Sequence, residues 1–199
     1  ERSKVAAHSE GTCAGLSAST RRAGIDLSVV MPIATKPSQA RSINSWAVGT
    51  NGSYNNLLCF GTLHPEQDNW QEEIDFMVSN GIKGIKLHPD YQEVFVDDPS
   101  LSPMLRGLAD AGLVLLLHAG VDIGLPPPVH CTPDRLARML DTVPGLRVIA
   151  AHMGGYMCWE DVEKYLVGRD LYLDTSYSLA DLGEKRMTAL IRAHGPERV

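Results

Sequence analysis

Six short apolar runs, each bounded by Gly, Pro, Asp or Asn, alternate with helix-patterned segments along this chain. They are Ile25–Met31, Leu57–Leu63, Ile82–Leu87, Leu113–Leu117, Leu146–Ala151 and Leu171–Asp174. Most are almost continuously apolar and rich in β-branched residues, the mark of strands covered on both faces in a parallel sheet. They recur every 25 to 35 residues or so, the size of one βα unit. Between them, Gln67–Ser79 is opened by Pro65 and Glu66 and closed by Asn80-Gly81. Leu101–Ala111 ends before Gly112, and Thr132-Pro133-Asp134 is a capped start for Leu136, Met139 and Leu140. Trp159, Val162, Tyr165 and Leu166 pattern a helix stopped by Gly168, and Glu184–His194 is a last one. Tryptophan and methionine positions on these helices read as core. Six consecutive βα units make either a doubly wound sheet or part of a (β/α)8 TIM-type barrel. A closed barrel takes roughly 250 residues. A barrel here is therefore expected to be incomplete, a single domain over residues 1–199 with about one unit absent at each end.

Composition narrows the function classes. Of 199 residues, 44% are hydrophobic and 21% charged, enough for a core without disulfide staples. The formal net charge of -6 argues against a general nucleic-acid partner. No apolar run approaches the roughly 18 residues of a membrane span, and Glu1-Arg2-Ser3-Lys4 does not read as a signal peptide. Cys13, Cys59, Cys131 and Cys158 form no CxxC, so free thiols and a cytoplasmic location are expected. The expected partner is a small-molecule substrate, with a homodimer the default assembly.

Histidine placement separates the two folds. His64, His88, His118 and His152 fall at or just past the C-terminal ends of four consecutive runs. That rim is where parallel α/β folds build active sites. An open sheet would spread the four along a line, whereas a barrel would make them converge. Strand alternation puts Gly84, Lys86 and His88 on one face, His118 with Val114 and Leu116, and His152 with Val148 and Ala150. Asp174 ends the next run beside Tyr172. Lys86, His88, His118, His152 and Asp174 are thus expected around one pocket. Imidazoles meeting carboxylates suit a divalent ion, zinc above all, with manganese or iron as alternatives. A lysine inside a barrel must be ion-paired or serve a ligand. Asp174 has a second reading as a loop cap, and Gly154-Gly155 as either a ligand approach or a turn. His8, His130 and His194 read as surface or loop residues.

Several segments resemble the amidohydrolase superfamily, in particular the amidohydrolase-2 branch that includes aminocarboxymuconate-semialdehyde decarboxylase-like enzymes. They are Phe60-Gly-Thr-Leu-His-Pro, Gly81-Ile-Lys-Gly-Ile-Lys-Leu-His-Pro-Asp-Tyr-Gln, Leu117-His-Ala-Gly, Ala151-His-Met-Gly-Gly-Tyr and Leu171-Tyr-Leu-Asp-Thr-Ser. The resemblance implies a distorted (β/α)8 barrel binding one or two divalent metals. It makes His118 the fifth-strand metal ligand and His152 the sixth-strand residue that catalyses or contacts metal. Lys86, His88, Tyr91, His64 and Asp174 become candidate substrate-binding residues. The family's first-strand His-x-His and eighth-strand Asp have no counterpart in these residues, so the chain is expected to cover about strands two to seven. By itself it should bind metal weakly and be inactive.

The leading expectation is a metal-dependent hydrolase in which a metal-activated water attacks a carbonyl-type centre and His152 shuttles protons. The alternatives are non-oxidative decarboxylation within the same branch and a non-catalytic barrel fragment. Specificity is expected from Asp122–Thr132 and residues 51–56, both read as rim loops.

Overall fold

The computed structural model describes residues 9–199; His8 lies outside them. Seven strands form along the described chain: β1 (Ser28–Val30), β2 (Leu57–Cys59), β3 (Gly61–Thr62), β4 (Gly84–Leu87), β5 (Val114–Leu117), β6 (Val148–Ala150) and β7 (Tyr172–Leu173). Every pairing is parallel. β1 pairs β2, and β3 to β7 follow one another in sequence order. A doubly wound sheet reverses its strand order at a switch point; this one never does. The sequential order is that of an incomplete (β/α)8 barrel, unclosed between β7 and β1.

The expected strand Leu57–Leu63 is interrupted at Phe60. Its N–H goes to Val30 O (2.9 Å), keeping the hand-over from β2 to β3 attached to β1. The other five runs each yield one strand.

The helices follow α1 (Cys13–Arg22), α2 (Ala40–Ser53), α3 (Trp70–Ser79), α4 (Ser102–Asp110), α5 (Pro133–Thr142), α6 (Trp159–Tyr165), α7 (Leu179–Leu182) and α8 (Glu184–His194). α2 packs on α3, α3 on α4 and α5 on α6, so successive helices are neighbours on one side of the sheet. Their buried faces meet the outward side chains of the strands. Ile74, Met77, Leu105, Leu108, Leu136 and Met139 share one core with Ile85, Leu115, Leu117 and Val148. The inner face carries a smaller apolar cluster of Phe60, Leu116 and Ala151, edged by Leu58, Val114 and Ile149. The register sets Thr62, Lys86, Leu116, Ile149 and Tyr172 side by side across β3 to β7.

α1, α2 and α7 have no counterpart in the apolar pattern. α2 buries Ala40, Asn44, Ala47 and Thr50, a helical spacing occupied by small and polar side chains. Asn44 acts as a strand would. It accepts from Thr62 N–H (2.8 Å) and donates to Thr62 O (3.1 Å), and it also donates to the buried Glu73 carboxylate (2.8 Å), which Arg41 neutralises at 2.7 Å. Trp46, on the same helix, is exposed rather than core.

Two further expectations are corrected. His194 is buried: Gly168 N–H donates to its Nδ1 (3.3 Å), and its Nε2 reaches Leu171 O (2.9 Å). Residues 51–56 precede β2 and therefore lie at the opposite end of the strands from the histidines. Asn51 pins β2 by a reciprocal pair with Cys59, and Asn56 is buried against Ser17.

Candidate functional site

The strand ends bring three of the four rim histidines into contact. The rings of His88 and His118 stack with centroids 4.1 Å apart and planes 6° apart. His118 Nδ1 lies 3.2 Å from His152 Nε2. His64 is not in this contact chain: its Nδ1 accepts from Glu66 N–H (3.2 Å), a local turn bond. Burial lowers its pKa.

Each histidine arrives differently. His88 and His118 simply continue the inner face of β4 and β5. His152 does not. β6 presents Ile149, the partner of Leu116, to the interior, whereas Val148 and Ala150 pack outward against the helices. Simple alternation would carry residue 152 outward with them. The chain instead turns left-handed at His152 (φ 61°) and Met153 (φ 55°), which swings the imidazole inward. Non-glycine residues there cost of order 1–3 kcal/mol and need outside support. Asp174 Oδ1 supplies it by accepting His152 N–H (2.8 Å), as does Trp159 Nε1–H donating to His152 O (3.1 Å). Gly154, also left-handed at φ 85°, completes a turn.

Gly120 has a steric role. A Cβ there would lie 2.2 Å from Tyr156 N, in a backbone already at φ 83°. The bare backbone lets Tyr156 N–H reach Ala119 O and Val121 N–H reach Tyr156 O, both at 2.9 Å. This joins the His118 loop to the His152 loop.

The order of protons across the site follows from fixed acceptors. Ser176 O can only accept, so the His152 Nδ1 lying 3.1 Å from it carries the hydrogen. With that hydrogen on Nδ1, His152 Nε2 is the acceptor, to which His118 Nδ1–H donates. His118 Nε2 is left as a lone pair, and it is buried without a partner. His88 is ordered in the opposite sense. Tyr91 N–H points at its Nδ1 (3.4 Å), so Nε2–H is the donor to Asp122 Oδ2 (3.2 Å). Burial, then His118 and Lys86, hold the His88 pKa far below the usual imidazole range. For His118, burial, then Lys86 and His152, push the pKa down to about 4. Neutral rings are what a metal requires. The side-chain atoms of His88, His118 and Asp122 lie within 4.8 Å of one another, a grouping that could hold a metal ion. Within it, His118 Nε2 is the nitrogen left bare by this hydrogen-bond order.

Lys86 faces the same interior, and burial pushes its amine down to about 8, with Asp174 acting the other way. Among the described residues it makes no ion pair, so of the two readings of this lysine the ion-paired one is not formed. Asp174 closes its own loop: the same Oδ1 accepts from Ser176 N–H (3.0 Å) and Ser176 Oγ–H (2.6 Å). Tyr91 sets its ring edge-on to His88, centroids 4.3 Å apart.

A cavity of about 210 Å³ opens beside His118 and His152, lined also by Asp122, Val121, Ile123, Tyr156 and Tyr177. Tyr177 is 66% exposed at its mouth. Tyr156 donates to Asp181 of α7 (2.8 Å).

The sequence pattern alone did not single out Asp122, Tyr156, Tyr177, Ser176 or Gln92. Gln92 is buried and ties three strand ends together. It accepts from His88 N–H (3.0 Å) and donates to Leu63 O (2.8 Å) and Ala34 O (3.0 Å). His130, read as a loop residue, sits in a loop and is held by the buried Asp90, its Nδ1 3.0 Å from Asp90 Oδ1.

The C-terminal ends of the barrel strands thus gather histidines, a carboxylate and a lysine without an ion pair among the described residues, at the rim where barrels of this kind build active sites. The Amidohydrolase family profile matches residues 15–199, and the chain belongs to that family. No curated protein matches it. Among solved structures it is similar to 5-carboxyvanillate decarboxylase from Sphingomonas paucimobilis. The two share 19% identity with a TM-score of 0.71, over 92% of this chain and 69% of that one. It is also similar to 2,6-dihydroxybenzoate decarboxylase bound to 2,6-dihydroxybenzoate (17%, TM-score 0.68, 96% and 75%). A third is 5-carboxyvanillate decarboxylase from Novosphingobium aromaticivorans, complexed with manganese and 4-hydroxy-3-methoxy-5-nitrobenzoic acid (18%, TM-score 0.70, 92% and 67%). The chain thus spans two thirds to three quarters of these relatives' length.

Proposed function

We propose that this chain carries the active-site strands of a metal-dependent decarboxylase acting on a small aromatic or unsaturated acid. The observation that carries this reading is Lys86, a buried ammonium on the inner face with no carboxylate partner among the described residues, set beside the site histidines. Burying such a charge is costly unless a ligand compensates it, and a substrate carboxylate is the complementary group. The three decarboxylases of like fold support the same choice.

The residues present fit a divalent metal, because His118 offers a buried, unpartnered Nε2 in a neutral ring. Manganese or zinc held by His118, with further ligands from outside these strands, would supply Lewis acidity toward the substrate's oxygen atoms. Lys86 holds the carboxylate in the dry interior. Ser176 O keeps His152 Nδ1 as a donor, so a proton exchanged at His152 when carbon dioxide departs passes through Nε2 and displaces the His118 Nδ1–H it otherwise accepts. Tyr91, held against His88, and His64 stand as substrate-side residues at the strand ends, with Tyr177 and Ile123 at the mouth of the cavity. His88 and Asp174 complete the polar surround. The four unpaired cysteines suit a reducing compartment and support a cytoplasmic location.

Hydrolysis is the second reading, favoured by the family itself. There, His152 Nε2 would take the proton of the attacking water. Assaying the manganese- and zinc-loaded enzyme against hydroxybenzoates, amides and lactones separates the two. Decarboxylation predicts carbon dioxide release that falls roughly 100-fold in Lys86→Met. Product formation from amides or lactones alone would replace it with hydrolysis.

A further inference from the structure

We infer that Asp174 and Ser176 are positioning residues that set the direction of a hydrogen-bond chain and so present His118 Nε2 as a bare lone pair. The inference rests on the reading of His118 as a metal ligand.

The chain starts at one oxygen. Asp174 Oδ1 accepts three hydrogens, from His152 N–H (2.8 Å), Ser176 N–H (3.0 Å) and Ser176 Oγ–H (2.6 Å). These bonds fix the His152 backbone and hold Ser176 O 3.1 Å from His152 Nδ1. Because Ser176 Oγ gives its hydrogen to Asp174, it too can only accept from His152 Nδ1, at 3.2 Å. Two acceptors at Nδ1 place the His152 proton there. His152 Nε2 must then accept, and His118 Nδ1, 3.2 Å away, must donate. Reversing the order would face a bare His152 Nδ1 lone pair with the Ser176 carbonyl oxygen, which has no hydrogen to give it. The order is therefore a property of this loop. Ligating histidines characteristically donate their second ring nitrogen to an acceptor that fixes tautomer and orientation. Here that acceptor is another imidazole, itself ordered by a backbone carbonyl.

The test is the imidazole nitrogen spectrum of the metal-free protein labelled with 15N-histidine. His118 and His152 should both show hydrogen on Nδ1 and a bare Nε2. Asp174→Ala should mix the tautomers of both rings and weaken Mn²⁺ binding about 10- to 100-fold. Asp174→Asn, whose Oδ1 still accepts, should restore both. Hydrogen on His118 Nε2 in the unaltered protein overturns the inference, and that measurement does not depend on any variant folding. Unmixed tautomers in Asp174→Ala also overturn it. Nδ1–H tautomers in a protein that binds no Mn²⁺ would uphold the ordering and remove the metal reading. Mn²⁺ binding with His118 protonated on Nε2 in the metal-free form would do the reverse.

Discussion

The middle of the sheet and its two margins are made of similar residues and treat them differently. In β4, β5 and β6, Ile85, Leu115, Leu117 and Val148 are fully buried between helices and interior. At the margins, Val29 of β1 is 40% exposed and Tyr172 of β7 is 47% exposed, with Ile25, Leu27 and Met31 open beside β1. The difference shows where the molecule can afford unfavourable groups. The neutral stacked histidines, the lysine without an ion pair among the described residues and the left-handed turn at His152 all sit at the ends of the three central strands. There, dense packing fixes side-chain positions, and the β7 margin contributes only through its C-terminal loop, where Asp174 and Ser176 hold His152.

The largest test of the contrast is truncation in the middle. Leu115→Ala should cost about 3–5 kcal/mol, read by urea unfolding, whereas Val29→Ala should cost less than about 1 kcal/mol. Equal losses would erase the distinction. Gly120→Ala comes next. Its Cβ would strike the Tyr156 backbone in a left-handed conformation worth about 1–3 kcal/mol of strain alone. It should separate the His118 and His152 loops and lower metal affinity as well as stability; a loss of stability alone would show that the loops are held elsewhere. Val29→Lys should change stability by under about 0.5 kcal/mol while raising solubility, since a charge blunts an exposed strand edge.

The smallest effect lies on the surface. Burial raises the Asp97 pKa, but hydrogen bonds from Arg135 (2.6 Å) and Arg138 (2.9 Å) outweigh it, and the pKa is lowered overall. The folded state therefore releases this proton more readily than the unfolded chain. The resulting stability is present above the ordinary carboxylate pKa of about 4 and is lost as pH falls through the lower folded value. Asp97→Asn should flatten the acid limb of the stability curve by a small amount, because both arginines are partly exposed and solvent screens the pair.

The same contrast explains what could be read from the chain. Continuous apolar runs belong to strands covered on both faces, so the β4, β5 and β6 segments were legible. With them came the rim position of His88, His118 and His152. α1 and α2 were not, because they pack through Ser17, Thr20, Asn44 and Thr50, and a hydrophobic period sees nothing there. Alternation put Val148 and Ala150 on the same face as His152 because it assumes extended backbone; the left-handed turn at His152 and Met153 separates them. Lys86 was legible as an inward lysine, but its lack of an ion pair among the described residues depends on which carboxylates the loops bring near. Asp174 is committed to its own loop. Residues 51–56 were assigned to the wrong rim because a loop's end of the barrel depends on whether it follows or precedes a strand.

The central claim is that imidazoles from separate strands form one site whose open nitrogen belongs to His118. Titrating Mn²⁺ into the protein, with the paramagnetic signal of the free ion as readout, tests it directly. His118→Ala should weaken binding at least about tenfold, while His64→Ala, outside the contact chain, leaves it within about twofold. Undiminished binding in His118→Ala would contradict the account.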